Sequence, residues 1–208
     1  MNSIANRSKI LAAFQFLVAI STAFSSELAS LIKPGMGREI EAGLKPTVVY
    51  VRRNATNASS RWAIIDENTT KVDGVSTISK TSLPKNEAVV FDKIALGFAK
   101  GTAEGQEGAL DYSSTKLPAA LRNADLVIIQ NGREVVSIPV AELGKQVSPA
   151  ANEDYYHDLE SFQYLVDDQP MQWDLRFPAG QALSPAAAGD VNYIEVRLKG
   201  FKTQRKQK

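Results

Sequence analysis

The spacing of apolar positions changes character once along this chain. From Ile10 to Phe24 the sequence reads ILAAFQFLVAISTAF. Phe14, Leu17, Phe24, Leu28 and Leu31 recur at steps of three, four or their sums, which places them on one side of a helix. Ala12, Gln15, Ser21, Thr22 and Ser25 form a milder side, and Lys33-Pro34-Gly35 supplies a stop. The pattern predicts an amphipathic helix from Ser8 to Ile32. It is too short and too polar for a comfortable membrane span.

From Thr47 onward the period is that of strands. Thr47–Val51 is rich in β-branched and aromatic residues, and Trp62–Ile65 is a second short apolar run. In Ala88–Phe98, Val90, Ile94, Leu96 and Phe98 read as one face, with Asp92 as an exception. Leu126–Gln130 and Arg133–Ile138 flank Asn131-Gly132, the strongest short hairpin signal, because both turn residues tolerate positive φ. Met171–Phe177 alternates without error, with Met171, Trp173, Leu175 and Phe177 inward. Asn192–Lys199 does the same through Ile194, Val196 and Leu198.

Strands with two such faces belong to antiparallel sheets with one side buried. Seven or eight of them, with one short helical stretch near Leu117–Leu121, predict an all-β antiparallel sandwich carrying an N-terminal amphipathic α-helix. Its topology is jelly-roll or immunoglobulin-like, and a single jelly roll is the expectation. The domain reading is an N-terminal helical arm over 1–35, a linker over 36–46, the sandwich over 47–201 and a basic tail over 202–208.

Composition narrows the chemistry. The 208 residues contain no cysteine, which removes disulfides, thiol nucleophiles and zinc–thiolate sites. A formal net charge of +1 gives no global field toward nucleic acid. The single histidine, His157, has no metal-ligand spacing around it and reads as a surface or half-buried side chain. No nucleophile elbow, phosphate loop, zinc helix motif or calcium loop occurs. The adjacent acids Asp167-Asp168 read as a turn, and Asn54, Asn57 and Asn68 open glycosylation-type triplets that matter only in a eukaryotic secretory pathway. No enzyme activity, cofactor, metal site or small-molecule substrate is expected. The residues expected to matter are the assembly-arm side chains Phe14, Leu17, Phe24, Leu28 and Leu31. Lys202, Arg205, Lys206 and Lys208 in the tail are the candidates for nucleic-acid contact, with a solvated terminus as the competing reading.

Val90–Leu96, Leu121–Pro139, Met171–Gly180 and Val191–Gly200 follow one another in an order and spacing that resembles the jelly-roll capsid proteins of tailless icosahedral bacteriophages. The resemblance covers roughly Ala88 to Phe201 and contains no diagnostic motif. It implies a structural virion protein, a shell or vertex building block. Its partners would be its own copies and other capsid proteins, with the termini reaching genome or an internal membrane. Major proteins of many such phages carry two fused jelly rolls, and this chain has room for one. The alternative is an exported bacterial binding module, periplasmic or extracellular. Arg7 and Lys9 before an apolar stretch, with Ala23, Ser25 and Ser26 after it, also fit a signal peptide cleaved near residues 24–26.

Overall fold

A computed structural model describes residues 2–23, 29, 42–146 and 154–205. The helix α1 (Asn2–Ala19) is followed by a 3₁₀ turn, Ser21–Ala23. The strands are β1 (Ala42–Asn54), β2 (Arg61–Ala63), β3 (Val89–Gly101), β4 (Asp125–Gln130), β5 (Arg133–Pro139), β6 (His157–Leu165), β7 (Met171–Arg176) and β8 (Val191–Arg205). Two short helices, α2 (Ala119–Arg122) and α3 (Val140–Leu143), flank the β4–β5 hairpin. One sheet has the order β1-β8-β3-β6 and the other β2-β7-β4-β5.

The pairing is nested. β1 pairs with β8, β2 with β7, β3 with β6 and β4 with β5, so the chain is one ribbon doubled at the β4–β5 turn and then rolled. Contacts β3–β8 and β4–β7 complete the two sheets. This is a single jelly roll, and the order excludes the immunoglobulin-like alternative. The doubling point is the predicted turn: Asn131 and Gly132 have φ of 50° and 73°, as a type I′ hairpin requires.

The core lies between the sheets and takes the alternating residues of β7 and β8, including Trp173, Leu175, Ile194, Val196 and Leu198. Strand β3 departs from the predicted face. A bulge shifts its register between Phe91 and Lys93. Val89 and Phe91 therefore face the core before it, and Ile94, Leu96 and Phe98 after it, while Val90 points to the outer side. Asp92, the exception in the sequence pattern, is the bulged residue. Gly200 of β8 passes so close that a Cβ there would lie 2.0 Å from the Val90 carbonyl oxygen. Only glycine permits that approach.

Four boundaries differ from the sequence reading. The helix α1 starts at Asn2 rather than Ser8 and ends at Ala19, where Ile20, Ser21 and Thr22 are poor helix formers; Ala29 is helical again, and residues 24–28 and 30–32 of the expected helix lie outside the described residues. Strand β1 begins at Ala42, inside the stretch read as linker, and β8 runs to Arg205, into the stretch read as tail. Strand β6 has no counterpart in the predicted set. Its Leu159, Phe162 and Tyr164 break the two-residue alternation because Glu160, at φ 59°, bulges out.

Candidate functional site

The outer face of the β1-β8-β3-β6 sheet is covered in two different ways. At one end lies α1. Ala13 and Leu17 are fully buried against Ala88, Val90, Val166 and Phe201. The Phe16 ring meets Phe162 and Tyr164 at centroid distances of 5.8 and 6.0 Å. The Lys9 ammonium sits 2.6 Å from the carboxylate of the bulged Asp92. Of the five arm residues, Leu17 points wholly inward and Phe14 is half-buried. Phe24, Leu28 and Leu31 lie outside the described residues. The helix thus spends its apolar side on its own sheet and leaves Leu11 (56% exposed) outward, beside Ala12 and Gln15. Among the described residues, no helix is long and apolar enough to cross a membrane.

At the other end the cover is charged and aromatic. Glu195 of β8 points outward by alternation, yet it is fully buried. Its carboxylate accepts hydrogen bonds from Arg52 Nε at 2.7 Å, an Arg197 guanidinium nitrogen at 2.9 Å and the Tyr155 hydroxyl at 3.4 Å. The Arg52 guanidinium lies over the Tyr112 ring and that of Arg197 over Tyr155, 4.9 and 5.4 Å from the centroids. Gly97 makes room for this cluster: a Cβ there would be 2.5 Å from the Tyr155 hydroxyl oxygen. Burial pushes the phenols of Tyr112 and Tyr155 well above the ordinary tyrosine range, and the nearby Glu195 charge adds to the rise. With two guanidinium partners, Glu195 is a strut between strands rather than a base facing a ligand.

Two clefts open elsewhere. One, of about 440 Å³, lies where the edge strands β5 and β6 run side by side, and Glu142, His157, Asp158 and Glu160 line it. The other, of about 450 Å³, lies where β1 and β8 run on toward Ala42 and Arg205, and it gathers Lys45, Lys85 and Lys202 around Glu87. Lys202 is thereby placed in a cleft, its ammonium 2.5 Å from Glu87. Arg205 belongs to β8 opposite Ala42, while its side chain, Lys206 and Lys208 lie outside the described residues.

His157 opens β6 half-buried. Asp168, at φ 52°, sits in the predicted turn, and the neighbouring Asp167 is buried and accepts the Asn86 amide at 2.8 Å. Among the described residues, no group of three or more His, Asp or Glu side chains could hold a metal ion. Sequence reasoning missed the Glu195 cluster and both clefts. Period-two alternation says that Glu195 faces out, but nothing local says that loops from 112 and 155 will cover it. No protein-family model matches the chain, and no curated protein matches it by sequence.

Proposed function

We propose that this chain is a structural building block of a virion shell, acting as a shell or vertex subunit that assembles through its sandwich and its N-terminal segment. The observation that carries the reading is the nested eight-strand jelly roll, an architecture found in viral capsid and lectin domains. Fold and function are separable, so the surfaces matter as well. The buried ionisable cluster is internally paired, and the described clefts lie on the open edge and at one end of the sandwich, where neighbouring copies would meet. No enzymatic role is part of the reading.

The exported-module alternative requires loss of residues through about 24–26, the length expected of a signal peptide. That cleavage would remove Ala13 and Leu17 and bare Ala88, Val90, Val166 and Phe201, an apolar patch at one end of a sheet face. The packing therefore favours a retained helix. The test is the intact mass of the protein recovered from its source, fractionated into particles and soluble material. A mass of 22.6 kDa in purified particles supports the shell reading. A shortened chain confined to the soluble or periplasmic fraction overturns it in favour of an exported binding module.

A further inference from the structure

The sheet that carries α1 runs past the end of the sandwich. Among the described residues, the core between the sheets takes nothing from β1 before Val49 or from β8 after Leu198. Beyond that pair the two strands continue together, from Val48 opposite Lys199 to Ala42 opposite Arg205. Strand β3 accompanies β8 only as far as Val89, opposite Lys202. The segment that caps the outer edge of β1 bonds farther along, Val75 to Arg52 and Thr77 to Tyr50. What remains is a two-stranded overhang, and such a ribbon is marginal on its own.

The two faces of the overhang differ. The face that builds the core farther along carries Lys45, Thr47 and Lys202 here and lines the polar end cleft instead. Lys45 and Lys202 are directly opposed, a like-charge pairing that weakens this stretch of the ladder. On the other face, Leu44 and Phe201 pack in the apolar cluster under α1 with Ala13, Leu17, Ala88, Val90 and Val166. That cluster is separate from the core between the sheets. Thr203 ties the overhang to it: the Ala88 amide donates to the Thr203 hydroxyl oxygen and the Thr203 amide to the Ala88 carbonyl, both at 2.9 Å. The apolar support of the overhang is therefore the helix. The dependence is mutual, because an undocked helix of 18 residues is itself marginal in water.

We propose that α1 and the β1–β8 overhang form one cooperative unit, which opens as a whole while the core between the sheets stays closed. Opening parts the helix from Leu44 and Phe201 and leaves the separate core cluster intact. The consequence is a linkage between the first helix and the last strand. A partner that captures one frees the other, and whatever holds one in place protects the other by the same factor. The proposal goes beyond the shell reading and does not rest on it.

The test is native-state amide hydrogen exchange of the full chain, read by mass spectrometry in peptides from α1, the overhang, β4 and β7. In wild type, α1 and the overhang should share one opening equilibrium, larger than that of β4 and β7. Leu17→Ala, made in the helix, should speed exchange in the overhang as much as in α1, roughly 30- to 900-fold, with β4 and β7 unchanged. Thr203→Val, made in the strand, leaves the Ala88 amide without its acceptor. It should speed exchange in α1 as much as in the overhang, by about 5- to 150-fold. A rise confined to the substituted element, or none at all, overturns the proposal. So does an equal rise across β4 and β7, since the opening would then be global. If Leu17→Ala leaves no folded sandwich by circular dichroism, Leu17→Val replaces it, with a smaller rise expected in the same peptides. Loss of the fold in Leu17→Val or in Thr203→Val also overturns the proposal, because the core would then depend on the unit.

Discussion

The two ends of the outer sheet face solve one problem with opposite materials. Under α1, apolar side chains from helix and sheet exclude water, and the helix comes from a distant part of the chain. Around Glu195, a carboxylate, two guanidinium groups and aromatic rings fill the same kind of space. The apolar end gains from every buried methylene, about 0.8 kcal/mol each. The charged end gains little net energy, because desolvation of the ions offsets their attraction, but it penalises any arrangement that leaves one ion without its partner. The first end supplies stability. The second fixes the register of β1 and β8 beneath it.

The seam between the two ends should be the most sensitive place. There Lys199 leans on Tyr156, Phe201 sits under the helix, and Gly200 lies between them against the β3 bulge. Gly200→Val should abolish folding or cost more than about 4 kcal/mol in chemical denaturation, since backbone rather than a yielding side chain blocks the new Cβ. A stability close to wild type would show that the bulge can open.

Next comes Glu195→Ala, expected to cost about 3–5 kcal/mol by leaving two guanidinium groups without their carboxylate. Replacing the set together, with Arg52→Met, Glu195→Leu and Arg197→Met, should instead be neutral or stabilising by about 1–4 kcal/mol. If the triple change costs as much as the single one, the cluster holds more than register. Leu17→Ala tests the apolar end and should cost about 2–4 kcal/mol, because a fully buried leucine leaves a cavity. The loss cannot exceed the docking energy of the helix, beyond which the helix would detach. Binding of a hydrophobic dye by this variant, and not by the Glu195 variants, would separate the two ends cleanly.

The smallest effect is in titration. Tyr112 and Tyr155 have raised phenol pKa values, chiefly through burial, so they favour the folded state below the ordinary tyrosine pKa of about 10. That contribution is lost as pH rises from there toward their higher folded values. Ultraviolet titration of the native protein should show these two remaining neutral after the exposed tyrosines have ionised. Tyr155→Phe should reduce the unionised remainder and flatten the alkaline loss of stability.

The sheet strands were legible wherever alternation was regular, as in Met171–Phe177 and Asn192–Lys199, because one face is core and the other is not. The hairpin at Asn131-Gly132 was legible because its chemistry is local. Strand β3 was only partly so: the Asp92 exception marked the bulge, but its effect on Val90 depends on Gly200, far away in sequence. Strand β6 and the burial of Glu195 were not legible, since the first is broken by a bulge and the second depends on loops that arrive from elsewhere. For the same reason, the end cleft joins Lys45 to Lys202, which no window of sequence contains. The arm was legible as an apolar helix, but its main contact, the chain's own sheet, was not.

The nested pairing also sets a timetable. Arg52 and Glu195, bonded across the β1–β8 ladder, are 143 residues apart. At ribosomal rates of about 5–20 residues per second, β1 waits roughly 7–29 s for its partner to be made. Through that interval the apolar N-terminal helix and the first strands exist without the surfaces that cover them. The β4–β5 hairpin is the most local of the strand pairings, and the other strand pairs join distant parts of the chain, a topology that folds slowly. A nascent chain of this kind is at its most vulnerable when seven strands are available and the eighth, which divides β1 from β3, has not yet emerged.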